Sequence, residues 1–492
     1  MKLILAASAG LAAWLGWRSL GWPLIHDAPI MHYIAWLITQ GAAPYRDAFD
    51  MNMPGVYLIH WAVLALGGPG DRAWRLFDLG WLTATCALLF VYCRPAGDRW
   101  AAAAAAALFA LHHVSGGAWR AGQRDFLLCL FLLIGALGVA RSLERGGTLA
   151  PLLWAGLALG AGMMVKPQSA AFWIACALVA AWGAARRDRS AAAGAAAVLA
   201  AGAVVPVIVM GWLAWRGGLG AFVAILTGYV VPLYGHVGRV RVWEALGWYR
   251  YGWPLWALWA ILVSLSLLGP APEAGGPRKG LALLGVAYGW LHFQVQGKGW
   301  EYHLYPLALF LTALIPFAVT PVSAATRWRA ALALRRAAAL VVVAAVVVTL
   351  GVKGVDAMDA PWIAEKARRV AALARDLRPL APAGATVQVM DVTEGGIHAL
   401  LELERRQPTR FIYDFHFFHD ETDPRIRALR SEFMTGLETG RPAAIVVLKD
   451  SWNRPGYDRL RELPGLMPLL DRAYTLAVDG DGYRIYAKRA DS

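Results

Sequence analysis

Apolar and polar residues alternate along this chain in long blocks. Apolar runs near bilayer-spanning length occupy residues 1–22, 76–93, 100–114, 126–140, 149–165, 169–183, 191–215, 253–268, 281–295, 304–319 and 337–352. They predict a polytopic α-helical membrane protein with about eleven transmembrane helices. The segments between them include RPAGDR (94–99), RSLERGG (141–147), AARRDRS (184–190), GPAPEAGGPRKG (269–280) and TRWRAALALRR (326–336). Short Arg-bearing loops belong on the cytoplasmic side, so the remaining loops are expected outside. The apolar piece 55–67 is too short to cross comfortably and is expected as a helix on the membrane surface. If it crossed, the following basic loops would fall outside. Residues 1–17 have the look of a signal peptide. The apolar run to Trp22 and its Trp residues favour an uncleaved first span instead.

The pattern changes after residue 352. Short apolar runs at 385–392, 409–415 and 443–449 read as buried strands, and 364–377, 423–437 and 457–463 as helices. Residues 474–488 carry the turn DGDG between alternating apolar positions, a hairpin signal. The expected division is a transmembrane region, 1–352, and a C-terminal soluble α/β domain, 353–492, facing the periplasm. No GxGxxG follows a strand there, so no nucleotide site is predicted.

The composition agrees: 58% of residues are hydrophobic and 16% charged, where soluble domains carry about a quarter charged. The net charge of +14 does not indicate nucleic acid, because the basic residues sit in short clusters between apolar runs. Cys86, Cys93, Cys129 and Cys176 lie in or beside apolar segments without metal-ligand spacing, and are expected as buried thiols.

The stretch 21–55, GWPLIHDAPIMHYIAWLITQGAAPYRDAFDMNMPG, carries the first chemistry. Asp27 follows an apolar run and precedes an amphipathic segment, so it reads either as a catalytic carboxylate or as the cap of a helix starting at Ala28. Asp47 and Asp50 lie on the return path. Three further clusters share the outer face in this topology: Arg120, Arg124 and Asp125; Lys166; and Lys298, Glu301, Tyr302, His303 and Tyr305. Ionisable groups at membrane depth are expensive and tend to mark sites. Carboxylates and cations at one membrane face fit a transfer in which a carboxylate deprotonates an acceptor, a sugar carbon is attacked, and a lipid phosphate leaves on Lys and Arg. Structural alternatives stand beside each residue. Asp125 would pair with Arg124 or Arg120, Lys166 and Lys298 would snorkel, and His303 would be a satisfied histidine. His112 and His113 show no clear partner. The aromatic residues of 216–253 fit an interfacial belt better than a sugar platform.

Asp27 with Ala35, Gly41, Pro44, Tyr45, Asp47, Asn52 and Pro54 resembles the first outer loop of the GT-C glycosyltransferases, nearest the dolichyl-phosphate-mannose protein mannosyltransferase and aminoarabinose transferase group. GDRAWRLFD (70–78), RAGQRDFLLCLF (120–131), the Gly-rich span ending in VKP (157–167) and KGWEYHLYPL (298–307) are similar to later motifs of that superfamily, in the same order. The resemblance implies an inverting transferase using a polyprenyl-phosphate sugar at the outer face of a bacterial inner membrane. It implies Asp27 as catalytic carboxylate and Asp125 as a second acid positioning the acceptor. The site expected here adds Arg124, Lys166 and Lys298 on the donor phosphate, with Glu301, Tyr302 and His303 lining the pocket. The partners are membrane lipid, the lipid-linked donor and a glycan, lipid or protein acceptor. The chain departs from many relatives at Ala28 and His303, which leaves metal use and the acceptor open; no residue spacing indicates a metal. The alternatives are an enzyme of the same fold transferring oligosaccharides or joining glycans, a lipid-linked sugar flippase, and a non-catalytic scaffold.

Overall fold

A computed structural model describes residues 1–187, 190–268, 275–320, 329–452 and 454–490. Parts of three basic segments used in the topology, at 188–189, 269–274 and 321–328, lie outside the described residues. The chain divides into two compact units: Met1–Gly21, Arg75–Val209 and Gly238–Asp359 in one, and Trp22–Trp74, Met210–Val237 and Ala360–Ser492 in the other.

Each predicted apolar run is helical. The helices are Lys2–Arg18, Asp71–Cys93, Arg99–Val114, Arg124–Glu144, Ala150–Val165, Ala170–Ala185, Ala191–Trp215, Gly252–Leu267, Gly276–Gln296, Tyr305–Ala313 continued by Ile315–Val319, and Arg329–Met358. Among the described residues, seven helical segments are long and apolar enough to cross a membrane, and shorter apolar helices accompany them. The chain is a multi-pass helical membrane protein with a small C-terminal sheet.

In the first unit, Arg124–Glu144 packs against Ala150–Val165, Ala170–Ala185 and Gly276–Gln296. Residues 302–319 are buried without interruption and form its centre. The Gly-rich span has a packing reason. A Cβ on Gly160 would lie 1.9 Å from the carbonyl oxygen of Gly202, and one on Gly156 2.5 Å from that of Val198. These helices therefore approach backbone to backbone, as small residues allow within membranes. The Ala-rich helix Arg99–Val114 starts at Asp98, whose carboxylate accepts from Trp100 N at 2.9 Å.

In the second unit the strands are Val387–Met390 (β1), Ala444–Leu448 (β2), Tyr474–Gly480 (β3) and Tyr483–Lys488 (β4), in the sheet order β1-β2-β4-β3. β1 and β2 are parallel and buried at every residue, while β3 and β4 form the predicted antiparallel hairpin. Residues 409–415, expected as a strand, instead form a single bridge, Phe411 to Phe49. The free edge of β1 is met otherwise: Val387 N donates to Arg406 O at 2.9 Å and Val389 N to Gln407 Oε1 at 2.8 Å. Helix Asp27–Thr39 packs against Pro54–Gly67, the short apolar piece, and against Gly396–Leu403. This unit thus gathers 22–74 and 210–237 with the C-terminal residues.

Candidate active site

In the first unit a buried carboxylate anchors the site. Asp125 lies in the first turn of Arg124–Glu144, where the helix dipole favours an anion. It is fully buried. Its Oδ1 is 2.6 Å from His292 Nε2, and its Oδ2 is 3.0 Å from Lys166 Nζ. The lysine contact is an ion pair rather than an aligned hydrogen bond. Lys166 ends Ala150–Val165 in extended geometry (φ −143°, ψ 112°), as expected before Pro167. Tyr288 OH lies 3.2 Å from His292 Nδ1. His303 is buried within electrostatic reach of Asp125, Lys166, His292 and Arg124. Asp125, Lys166, His303 and Arg124, all predicted, therefore come together. His292 was not predicted, although a histidine inside an apolar span is itself a signal.

A second buried group surrounds Glu301. Its carboxylate forms an ion pair with Arg120 Nη2 at 2.7 Å and also contacts Lys353 Nζ. Arg120 reaches His112 Nε2 at 3.1 Å and lies over the Tyr305 ring. Glu301 is thus engaged by two cations of the protein itself. Beyond Tyr305, whose hydroxyl is 2.7 Å from His113 Nδ1, His113 Nε2 is 2.9 Å from Asp78 Oδ2. Asp78 also pairs with Arg75 and accepts from Gly122 N at 2.6 Å. Arg75 donates to Ser19 Oγ at 2.6 and 2.9 Å. His112 and His113, without clear partners in the sequence, are built into these networks.

The loop after Gly276–Gln296 turns at Gly297 (φ 63°), a left-handed conformation suited to glycine. Lys298 follows and is buried; burial, then the nearby Arg239 charge, brings its ammonium down to about 8. Tyr302 is buried between Trp119 and Trp300, with ring centroids at 6.0 and 5.6 Å.

In the second unit Asp27 is the first residue of helix Asp27–Thr39 and is half-buried. The helix starts one residue earlier than expected, with His26 at the cap position. His26 adopts φ 53° and ψ −111°, which L-residues rarely do. Its ring meets Trp362 and lies 3.5 Å from Lys366 Nζ; burial and that lysine hold the imidazole well below its usual range. Asp71 fixes the same segment by accepting from Leu24 N at 2.9 Å. Asp50 is buried and accepts from Tyr57 OH at 2.5 Å and from Asn52 Nδ2. Asp47 pairs with Arg46 and accepts from Ala43 N. His32 and His60 face each other, Nδ1 to Nδ1, at 2.5 Å beside Trp74. Burial and the His398 charge bring His32 down to about 3, so it stays neutral. Tyr229, in the segment expected as an aromatic belt, is buried and bonds His416 at 2.7 Å and His419 at 3.0 Å. Among the described residues no group of three or more His, Cys, Asp or Glu has metal-holding geometry.

The sequence motifs resemble those of the GT-C membrane glycosyltransferases, and comparisons with known proteins bear on that resemblance. Residues 52–215 match the family model described as dolichyl-phosphate-mannose-protein mannosyltransferase. The structure is similar to that of ArnT from Cupriavidus metallidurans bound to undecaprenyl phosphate, at 14% identity and TM-score 0.62 over 98% of this chain and 97% of that one. It is likewise similar to apo ArnT, at 13% identity and TM-score 0.60 over the same shares, 98% and 97%. The oligosaccharyltransferase AglB from Archaeoglobus fulgidus, in complex with an inhibitory peptide and a dolichol-phosphate, aligns at 12% identity and TM-score 0.48 over 99% of this chain and 74% of AglB. No curated protein matches the chain in sequence.

Proposed function

We propose that the chain is an inverting glycosyltransferase, moving a sugar from a polyprenyl-phosphate donor to a glycan, lipid or protein acceptor. The reaction takes place at the outer face of a bacterial inner membrane, with the C-terminal region 353–492 in the periplasm and the membrane region 1–352 carrying the catalytic groups. The observation that carries this reading is the similarity in fold, over 98% of the chain, to a protein solved with undecaprenyl phosphate. The buried cations beside Asp125 and in the 297–300 loop support it.

In the proposed reaction Asp27 takes the proton of the acceptor hydroxyl or amine. The acceptor atom then bonds to the anomeric carbon from the face opposite the phosphate. The carbon–oxygen bond to the phosphate breaks, and the polyprenyl phosphate leaves with the electron pair. Lys166, Arg124 and Lys298 hold that phosphate. Lys166 is already shared with Asp125, so the carboxylate and the arriving phosphate compete for one ammonium. Asp125 orients the acceptor, and Glu301, Tyr302 and His303 shape the pocket.

Incubation of the purified protein with radiolabelled polyprenyl-phosphate sugars and an envelope extract tests this. The expected result is sugar in a new product with matching release of polyprenyl phosphate. Translocation of intact donor across proteoliposomes without cleavage would assign a flippase instead. Mass spectrometry of co-purified lipid identifies the sugar.

A further inference from the structure

A groove of about 860 Å³ lies among helices Arg124–Glu144, Ala170–Ala185 and Gly276–Gln296, in the first unit and apart from the residues above. It is open because two of its lining residues lack side chains: a Cβ on Gly276 or Gly280 would meet nothing within 4 Å. Its apolar lining includes Leu178, 64% exposed, and Trp182, 55% exposed. Such exposure suits a surface that faces acyl chains rather than water.

Its charged lining is basic. Arg186 and Arg187 follow the last turn of Ala170–Ala185. Arg187 is committed to the protein, donating to Leu143 O at 2.7 Å and Gly183 O at 3.2 Å. Arg186 is held over the Trp182 ring, 4.4 Å from its centroid, and pairs with no carboxylate among the described residues. The carboxylate next to Leu143, Glu144, is taken by Arg278 through two contacts at 2.6 and 2.8 Å. An apolar channel with an arginine fixed at the end of a spanning helix is complementary to one kind of molecule: acyl chain below, phosphate above.

We infer that this groove binds an anionic glycerophospholipid of the surrounding leaflet, its acyl chain beside Gly276 and Gly280 and its phosphate on Arg186. The size suits it, since ligand sites typically enclose about 300–1,000 Å³.

Native mass spectrometry of the full chain in nonionic detergent tests this, with phosphatidylglycerol and phosphatidylcholine of identical acyl chains. Wild type should retain phosphatidylglycerol preferentially. Arg186→Gln should weaken that retention about fivefold, the usual worth of one cation near a lipid surface, and leave phosphatidylcholine unchanged. Gly280→Leu, which fills the groove without meeting backbone, should weaken it at least as much, with Gly276→Leu as a second block. Thermal unfolding should be unaltered in these variants without lipid, and inorganic phosphate alone should not stabilise wild type as phosphatidylglycerol does. Equal retention of the two lipids by wild type overturns the inference. So does wild-type retention by Arg186→Gln or by both glycine variants, or equal stabilisation by inorganic phosphate.

Discussion

Removing one partner from the Asp125–Lys166 pair exposes how the site is built. Both side chains are buried, at 0% and 10% exposure, with 3.0 Å between charges. Lys166→Gln leaves Asp125 without its lysine partner, and Asp125→Asn takes from the Lys166 ammonium its buried carboxylate. Breaking a buried pair this way costs about 3–5 kcal/mol, because the remaining charge stays desolvated. In thermal unfolding that is a fall on the order of 5 °C for each single variant. The double variant Asp125→Asn/Lys166→Gln has no charge to strand, and its amide can still accept from His292. Its midpoint should return to within about 2 °C of wild type, a coupling expected of contacting residues. Transfer should stay abolished in the double variant, separating catalysis from folding. Lys166→Arg should keep the pair and part of donor use, with altered phosphate geometry. If the two single effects simply add in the double variant, the pair is not a coupled unit, and Lys166 is better assigned to substrate alone.

Other expectations concern single groups. Asp27→Asn should reduce transfer by about two to four orders of magnitude while leaving unfolding and donor binding unchanged; near-normal turnover would make Asp27 a structural residue at the helix start and place the base elsewhere. Lys298 should lose its proton near pH 8, so a donor phosphate held by its ammonium should bind more weakly as pH rises through that value. Lys298→Arg should flatten this profile, and an unchanged profile would remove Lys298 from the phosphate site. Asp391 is buried and accepts from the backbone of Glu394, Gly395 and Gly396; burial, reinforced by Glu394 and Asp414, raises its carboxyl to about 6. A raised carboxyl favours the folded state when protonated, so this contribution is fully present below about pH 4 and lost as pH rises through 6. Relative to Asp391→Asn, wild type should therefore gain stability as pH falls from 7.5 to 4.5 in paired melts; a constant difference would contradict it.

The spans were legible because a bilayer demands long apolar runs, and no other feature of the chain writes so large. Helix Pro54–Gly67 was legible for the converse reason, being apolar but short. Partners were harder. The structural alternative for Asp125 paired it with Arg124 or Arg120, its neighbours in sequence. Adjacent helical residues do not face each other, and Asp125 instead meets Lys166 and His292, while Arg120 reaches Glu301. His292, Lys353 and Asp78 each sit within or beside an apolar run, with partners far away in the chain. Periodicity reports which face is apolar, not which distant charge will meet it. The boundary at 352/353 followed hydropathy alone and could not register that Phe49 pairs with Phe411 or that Tyr229 bonds His416.

The carboxylates differ in what surrounds them. Asp125, Asp78, Glu301 and Asp50 are held by cations, by hydroxyl or amide donors, or by both. A carboxylate gripped in this way is a good anchor and a poor base, since its grip must loosen before a proton can arrive. Asp47 is tied to Arg46 at the surface. Asp27 is half-buried, opens its helix, and is directly preceded by the rare backbone conformation of His26. Such conformations cost about 1–3 kcal/mol and persist where the surroundings enforce them. Here the enforcing contacts are Asp71 on Leu24, and Trp362 and Lys366 on His26. They fix the direction in which the helix leaves and hence where Asp27 stands. In this proposal the ion pairs around Asp125 and Glu301 hold binding groups in place, and the strained backbone at His26 sets the carboxylate proposed to react.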